Sequence, residues 1–294
     1  MLCVLKSTKA TEEKTEEQNT RIIDKFMKVT GKELKKAIEA AGLSGEIICV
    51  HSSLRSFGEV EGGADTIINA FLEAGCSLLA PSFTYRFYLP PREEIEQNGI
   101  DDEMRTIEPN GRIYNSGIID ISKDMGAIPR TMVFTDGRHR GNHPLNSFVA
   151  LGPEAEELIS CQTAEDVYAP FQKMMERSGK IVMMGVDLTK MTAIHYAEQL
   201  SGRELFVRWA LDKNGSTMRL REGSCSEGFN NLAPFVADLE KQITVGKSLW
   251  RIFPIKETVL ACADAIRNDK TITHCSDSSC IQCNDMQKGG PILH

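Results

Sequence analysis

The sequence lacks any long hydrophobic run. No uninterrupted apolar stretch reaches the roughly 18 residues that cross a bilayer, and the first residues contain no apolar stretch long enough for a secretory signal peptide. We therefore expect a cytoplasmic protein without a membrane partner. An excess of basic side chains is also missing, because 34 Lys and Arg oppose 41 Asp and Glu for a net charge of -7. This balance argues against nucleic acid as a partner, since nucleic-acid binding needs a dense positive field.

Several common catalytic motifs are absent. The sequence has no GxSxG elbow, no GxGxxG after its first predicted strand and no HExxH. The triplet 246–248 (GKS) resembles the end of a phosphate loop, but Lys241 stands where that loop requires glycine. These absences argue against the common nucleotide-triphosphate, dinucleotide and zinc-protease classes.

What the sequence does contain is an alternation of predicted helices and strands. Apolar residues at helical spacing in GKELKKAIEAAG are followed by the β-branched run EIICVHSS, and ADTIINAFLEAG is followed by SLLAPSF. A hairpin is predicted around Asn214-Gly215, between FVRWAL and STMRLRE. The pattern predicts an α/β fold with a mainly parallel central sheet flanked by helices and an added antiparallel hairpin.

The domain organisation follows from where this pattern stops. Residues 1–20 are polar and predict a flexible N-terminal arm, and residues 21–270 predict a single α/β domain. Within that domain, residues 85–123 form a long, acidic insertion of the kind that is usually functional or disordered. Residues 271–294 are a Cys-rich C-terminal tail.

The pair His195 and Glu198 is a candidate catalytic dyad. Residues three apart share one face of a helix, so the carboxylate can reach the imidazole. With Thr192 as the helix N-cap, His195 lies in the first turn, where the helix dipole disfavours the imidazolium form and helps keep the ring neutral. A neutral, oriented imidazole is a general base. From spacing alone, we favour an ordinary surface His–Glu pair, because such pairs are common and contribute little to stability.

Two further segments have the composition of ligand-binding loops. Residues 51–64 (HSSLRSFGEVEGGA) lie between a predicted strand and a predicted helix, at the edge where open α/β sheets bind ligands. Their glycines permit close backbone approach, and Arg55 is a cation suited to phosphate. Residues 140–148 (RGNHPLNSF) form a polar turn into a strand. Taken alone, the first segment favours an ordinary Gly-containing turn, and the second indicates only a loop with polar side chains.

Together these segments resemble the antibiotic N-acetyltransferase family, the aminoglycoside 3-N-acetyltransferases and their relatives. The resemblance runs from about residue 30 to residue 267 and is carried by HSSLRSFGEVEGGA, HPLNSF and the HxAE-type motif His195-Tyr196-Ala197-Glu198. It implies an acyltransferase that moves an acetyl group from acetyl-CoA to an amine, with His195 as general base and Glu198 as its orienting partner. The implied coenzyme contacts are Ser52, Ser53, Arg55, Phe57, Gly58, Val60, Gly62, Gly63, Thr84, Arg140 and Ser147.

The sequence also departs from the family pattern. Gly141 stands where members often have serine, and Ala169-Pro170 stands where they often have Ser-Pro. The 85–123 insertion does not match the antibiotic-modifying members well, so its acidic residues are either a site for a polycationic aminoglycoside or a solvated surface. Two alternatives stay open: a His–Glu-dependent amide or thioester hydrolase with Ser52 or Ser53 as nucleophile, and an inactive CoA-binding relative. The sequence defines no oligomeric state.

The tail contains a possible metal site. Cys275, Cys280 and Cys283 have the spacing C-x4-C-x2-C, and thiolates so arranged can bind tetrahedral zinc with a histidine. His274 is adjacent to Cys275, so the two cannot easily bind one ion together, although His294 is a possible substitute. We favour a reduced tail without metal, because a second CxxC pair is missing.

Overall fold

The structure is a computed structural model that describes residues 28–109 and 111–293. Within these ranges the strands are β1 Ile47–Ser52, β2 Ser77–Pro81, β3 His139–Arg140, β4 Phe148–Leu151, β5 Lys180–Met184, β6 Phe206–Leu211, β7 Thr217–Glu222, β8 Lys241–Val245 and β9 Ser248–Pro254. The α-helices in the same ranges are α1 Gly31–Ala41, α2 Gly63–Glu73, α3 Asp102–Arg105, α4 Ala127–Phe134, α5 Ala155–Ser160, α6 Ala169–Glu176, α7 Ala193–Leu200, α8 Ala233–Val236, α9 Ile255–Asn268 and α10 Ile281–Met286. The predicted N-terminal arm, residues 1–20, lies outside the described residues.

Seven strands form one sheet in the order β3-β4-β2-β1-β5-β9-β8, and β6 pairs with β7 separately. The three central strands, β2, β1 and β5, run parallel, whereas the outer pairs are antiparallel. The predicted α/β class with an added antiparallel hairpin is confirmed. Parallel pairing is restricted to the centre of the sheet, where the connections carry helices.

The central strands are buried on both faces, which explains their continuous apolar sequence. Alternate residues of β5 illustrate this, because Ile181 and Met183 pack with α5, α6, α7 and α9 on one face. Val182 and Met184 pack with α1, α2 and α4 on the opposite face. The fold is therefore a three-layer arrangement with a core on each side of the sheet.

The first helix, α1, forms as its sequence predicts. Leu34, Ile38 and Ala41 are its buried residues, and Thr30 closes a capping box with Glu33. Gly42 ends the helix in the left-handed conformation at φ 73°, which a glycine adopts without steric cost.

The predicted hairpin is confirmed, with Phe206 opposite Glu222 and Leu211 opposite Thr217. It packs against the long segment 85–123, where Leu89 makes a β-bridge to Trp209. The side chains of Phe87 and Tyr114 meet edge to face at 5.3 Å and join the same small apolar cluster as the hairpin. The long segment is thus a cover over the hairpin.

A second hairpin, β8–β9, is not predicted from the sequence. Its first strand has only one fully buried residue, Val245, so its apolar pattern is weak. The turn depends on Gly246 at φ 59°, where an added Cβ would lie 2.8 Å from the Phe57 carbonyl oxygen. No helix in the described ranges is long and apolar enough to cross a membrane.

Candidate functional site

His195 lies where the first turn of α7 follows the central strand β5. A 3₁₀ turn, Leu188–Lys190, connects the two elements. Thr192 occupies the predicted N-cap position, but its side chain makes no capping hydrogen bond. Because the helix follows the carboxyl end of a parallel strand, its first turn lies at the edge of the sheet where ligands bind in open α/β folds.

The predicted dyad is formed in the structure. The Nδ1 atom of His195 lies 2.9 Å from Oε2 of Glu198. An ionised carboxylate only accepts hydrogen bonds, so Nδ1 carries the proton and donates a hydrogen bond to Glu198. In the neutral ring, Nε2 then holds the lone pair. This is the tautomer that a general base requires.

Glu198 is fully buried and its carboxylate accepts from several donors. Arg203 Nη1 donates to Oε1 at 2.6 Å, Ser224 Oγ donates to Oε2 at 3.2 Å, and Thr273 Oγ1 lies 3.4 Å from Oε1. A buried carboxylate is tolerated when it is paired and hydrogen-bonded in this way. Arg203 also donates to the carbonyl of Lys270, so hydrogen bonds hold the guanidinium as well as the carboxylate in place.

Aromatic rings and one glycine fix the plane of the imidazole. Tyr168 stacks on it at 6.0 Å with an interplanar angle of 12°, and Phe229 contacts it edge-on at 4.8 Å. Gly223 lies so close that an added Cβ would be 2.5 Å from His195 Cγ and 2.5 Å from Tyr168 Oη. Only glycine fits at this position, which immediately follows β7.

The predicted coenzyme turn lies at the same sheet edge. Ser52 ends β1, and the backbone N–H of Ser53 donates to the Met184 carbonyl at 2.9 Å, which joins the turn to the end of β5. Ser52 Oγ and Thr84 Oγ1 are buried without a hydrogen-bond partner in the described protein. Buried hydroxyls are normally paired, so two orphaned ones near this edge fit a ligand.

The remaining residues of the turn have mixed environments. Phe57 is buried against Trp250 at 6.0 Å, and Val60 makes a β-bridge to Val29. Arg55 is exposed. Gly58, Gly62 and Gly63 all have positive φ, between 66° and 81°. The glycines shape the turn, and their contacts with a coenzyme stay a prediction.

Arg140 and Ser147 are held by partners inside the protein. Arg140 Nη2 donates to the carbonyls of Ser82 at 2.6 Å and Asp120 at 2.8 Å, and Nη1 donates to the Ile118 carbonyl at 2.6 Å. Its Nε lies 3.1 Å from Ser147 Oγ. These bonds attach the long segment to β3. The predicted coenzyme contact of both residues would compete with this role and stays a prediction.

His143, in the HPLNSF segment, is a buried neutral histidine. Its Nδ1 accepts from the backbone N–H of Asn146 at 2.9 Å, so Nε2 carries the proton and donates to the Arg221 carbonyl at 3.0 Å. Burial lowers the pKa of His143 to about 4, although the hydrogen bond to the Arg221 carbonyl raises it. The ring therefore ties the β4 loop to the hairpin instead of titrating at neutral pH.

Some of the acidic residues of the long segment form local ion pairs. Glu93 pairs with Arg219 of the hairpin, and Glu94 pairs with Arg105 at 2.8 Å. Asp101 caps α3 through the backbone N–H of Met104. The alternative functions predicted for this run, an aminoglycoside site or a solvated surface, both stay predictions.

The three predicted tail thiols, Cys275, Cys280 and Cys283, lie together. A fourth thiol, Cys225, joins them from the segment after β7, and all four sulfur atoms lie within 4.8 Å of one another. His274 is not part of this group, because its ring contacts the Cys275 carbonyl at 2.8 Å and Asn284 Oδ1 at 3.1 Å. His294 lies outside the described residues.

Several site residues escape sequence reasoning. Tyr168, Arg203, Gly223, Ser224 and Phe229 reach the dyad from four separate stretches of chain. Arg203 lies beyond the end of α7, and the other separations from position 195 follow no period of a helix or strand, so spacing gives no signal for them. Gly223 and Ser224 carry one weak signal, because they come directly after a predicted hairpin.

The site and fold define an α/β protein with a buried His–Glu pair at the ligand edge of its sheet. A family model described as aminoglycoside 3-N-acetyltransferase matches residues 49–266. The chain belongs to this family, as its sequence motifs predict. The family resemblance is thereby confirmed, and members of the family are named as acyltransferases.

Individual relatives agree with this assignment. Aminoglycoside N(3)-acetyltransferase III from Salmonella sp is 30% identical over 181 residues, covering 58% of this chain and 61% of the relative. The match thus spans about three fifths of that relative's length. A crystal structure of aminoglycoside acetyltransferase AAC(3)-IVa in complex with gentamicin has a TM-score of 0.71 at 22% identity, covering 90% of this chain and 98% of that one. A structure titled AAC-IIIb binary with CoASH has a TM-score of 0.68 at 22% identity, covering 82% and 97%. At these identities, the two structures show a shared fold.

Proposed function

We propose that this chain is an acetyl-CoA-dependent N-acetyltransferase that modifies the 3-amino group of an aminoglycoside or a related amine. The observation that carries the proposal is the buried His195–Glu198 pair at the carboxyl edge of the central sheet. Family membership supports the reaction class. The CoA and gentamicin in the two neighbouring structures support the choice of substrates.

The dyad supplies the proton acceptor that this reaction needs. An ammonium ion has no lone pair, so the acceptor amine must lose a proton at or before its attack on the thioester. In the proposed step, the amine nitrogen forms a bond to the acetyl carbon and His195 Nε2 takes the proton. The carbon–sulfur bond then breaks, CoA leaves as a thiolate, and the proton on His195 Nε2 passes to that thiolate, which restores the neutral base. A positioned base of this kind contributes about 100- to 10,000-fold to the rate.

The buried partners of Glu198 keep the base oriented through the reaction. When His195 takes the proton, its imidazolium carries a positive charge, and Glu198 lies 2.9 Å away to compensate it. Arg203 holds the opposite carboxylate oxygen at 2.6 Å, so the acid does not rotate away. The arrangement stabilises a charge that exists only after proton transfer, which is the form of assistance that raises kcat.

The turn at residues 52–63 is the proposed coenzyme contact. Gly62 and Gly63, both at positive φ, lead into α2, and the backbone N–H groups at a helix N-terminus favour phosphate. The orphaned hydroxyls of Ser52 and Thr84 fit hydrogen bonds to the pantetheine amides or to the thioester oxygen. This placement brings the acetyl group to the edge of the sheet on which His195 lies.

The 85–123 segment is the proposed wall of the acceptor site. It covers the hairpin whose end, at Gly223, contacts His195. The chain's net charge of -7 favours approach of a polycationic amine. Acidic residues of the segment without an internal pair are the candidates for binding it.

The experiment follows thiol release from acetyl-CoA with a panel of aminoglycosides and small amines. We expect release that depends on the amine, and a product with one acetyl group on the 3-amino nitrogen by NMR. Release that is independent of any amine would instead favour the thioester hydrolase. Thermal stabilisation by acetyl-CoA without turnover would favour an inactive CoA-binding relative, since a ligand at 100 times its Kd stabilises the native state by about 2.7 kcal/mol.

A further inference from the structure

Four cysteines, Cys225, Cys275, Cys280 and Cys283, form a group with the composition of a metal site. Cys225 comes from the segment after β7, Cys275 from the turn after α9, and Cys280 and Cys283 from the start of α10. Their sulfur atoms lie within 4.8 Å of one another. Four thiolates around zinc at about 2.3 Å place the sulfurs about 3.8 Å apart, so the observed group needs only a small contraction.

We propose that Cys225, Cys275, Cys280 and Cys283 bind one zinc ion through four thiolates. The sequence argument against a metal is the absence of a second CxxC pair, but Cys225 supplies a fourth thiol from 50 residues upstream of Cys275. A closed tetrahedron of four protein ligands has no open position for a substrate. The site is therefore structural, and binding releases thiol protons to solvent without any change of oxidation state.

The segment that follows Cys225 packs closely against the segment that precedes Cys275. Gly228 lies against the chain at residues 273 and 274, where an added Cβ would be 2.3 Å from the Thr273 carbonyl oxygen. Asn231 Nδ2 donates to the Ile272 carbonyl at 3.0 Å. The backbone N–H of Cys275 points to the sulfur of Cys283 at 3.4 Å, and an N–H aimed at a metal-bound sulfur is the kind of outer-shell bond that stabilises a thiolate ligand.

The position of the thiols gives the ion a role. Ser224, next to Cys225, donates to Glu198, and Thr273, two residues before Cys275, contacts the other carboxylate oxygen. The same Thr273 accepts from Arg203 at 2.8 Å. A zinc ion would join these two stretches of chain, each of which contacts the Glu198 carboxylate. It would thus hold the donors that orient the dyad.

The test measures metal in the full chain purified under reducing conditions, without a metal-binding tag. We expect about one zinc per chain in the unmodified protein and less than about a tenth in Cys225→Ser and Cys283→Ser. Cys161→Ser is the matched control, because Cys161 is another half-buried free thiol outside the group, and it should retain the metal. No acetyl-transfer assay is needed, so the result is independent of the proposed function.

A second measurement covers the case in which the serine variants fail to fold. The unmodified protein is stripped with a chelator and titrated with cobalt(II), which should give sulfur-to-cobalt charge-transfer absorption and the visible bands of a tetrahedral site. Zinc should abolish these bands and restore the melting temperature that chelation lowers. Stoichiometric iron, a disulfide within the group, or reduced protein that binds neither zinc nor cobalt would overturn the proposal.

Discussion

The substitution Glu198→Gln tests the orienting role of the carboxylate. An amide offers one oxygen where the carboxylate offers two, while both Arg203 and His195 require an acceptor. The guanidinium is charged, so we expect it to take the amide oxygen and leave the NH2 group facing His195. The imidazole must then accept at Nδ1 and carry its proton on Nε2. In that tautomer Nε2 has no lone pair for the substrate.

The size of the effect follows from these contacts. Losing the base should lower kcat by about 100- to 10,000-fold, with a smaller change in the KM for acetyl-CoA, because the proposed coenzyme contacts do not include the dyad. Removing one partner of a buried ion pair costs about 3–5 kcal/mol. The retained amide oxygen still serves Arg203, so we expect a stability loss near the lower limit, about 3 kcal/mol.

The assay combines thiol-release kinetics, urea unfolding and ¹⁵N NMR of the histidine rings. Glu204→Gln is the control, since that carboxylate is exposed and lies 3.9 Å from Arg221; its kcat should match the unmodified protein. A Glu198→Gln enzyme with kcat within about threefold of normal, which is about 0.7 kcal/mol in barrier, would refute the orienting role. So would a ring that still carries its proton on Nδ1.

Two further predictions concern Gly223 and His143. Gly223→Ala places a Cβ 2.5 Å from the His195 ring, so we expect a kcat loss of at least about tenfold together with about 1–3 kcal/mol of destabilisation from overpacking. Gly31→Ala is the control, because its Cβ meets an ordinary contact at 3.4 Å, and it should change neither kcat nor stability. An unchanged kcat in Gly223→Ala would show that the ring tolerates displacement. For His143, the folded-state pKa of about 4 lies below the unfolded value near 6.5, so the unfolded state binds the proton first and stability is lost as pH falls from about 6.5 towards 4. At pH 5 this residue should lower the free energy of unfolding by about 2 kcal/mol, measured as the difference in urea unfolding between pH 7 and pH 5. His143→Gln should reduce that difference by the same amount. An equal pH dependence in both proteins would contradict the assignment of His143 as a buried neutral ring.

The sequence predicts the parts of the fold that depend on local periodicity. The β1 strand, the α7 helix and the β6–β7 hairpin all form where their apolar spacing or turn residues indicate them. The dyad is predictable for the same reason, because its two members lie one helical turn apart. The β8–β9 hairpin is not predictable in this way, because the half-exposed edge strand β8 has little periodic pattern of apolar residues.

The surroundings of the site depend on long-range packing, which spacing does not encode. Arg203 meets Glu198 only because the chain after α7 folds back, and Thr273 arrives from beyond α9. Cys225 is separated from its neighbouring thiols by the whole of α8, β8, β9 and α9. A motif search restricted to one tail therefore finds three of the four thiols.

The most direct test of the account is His195→Ala, measured by turnover and by calorimetric titration with acetyl-CoA. The ring lies between Tyr168 and Phe229 and outside the 52–63 turn, so its loss should remove the base and spare the coenzyme site. We predict that amine acetylation falls by about 100-fold or more while the Kd for acetyl-CoA stays within about threefold, or about 0.7 kcal/mol. A variant that turns over at the normal rate would contradict the assignment of His195 as the base.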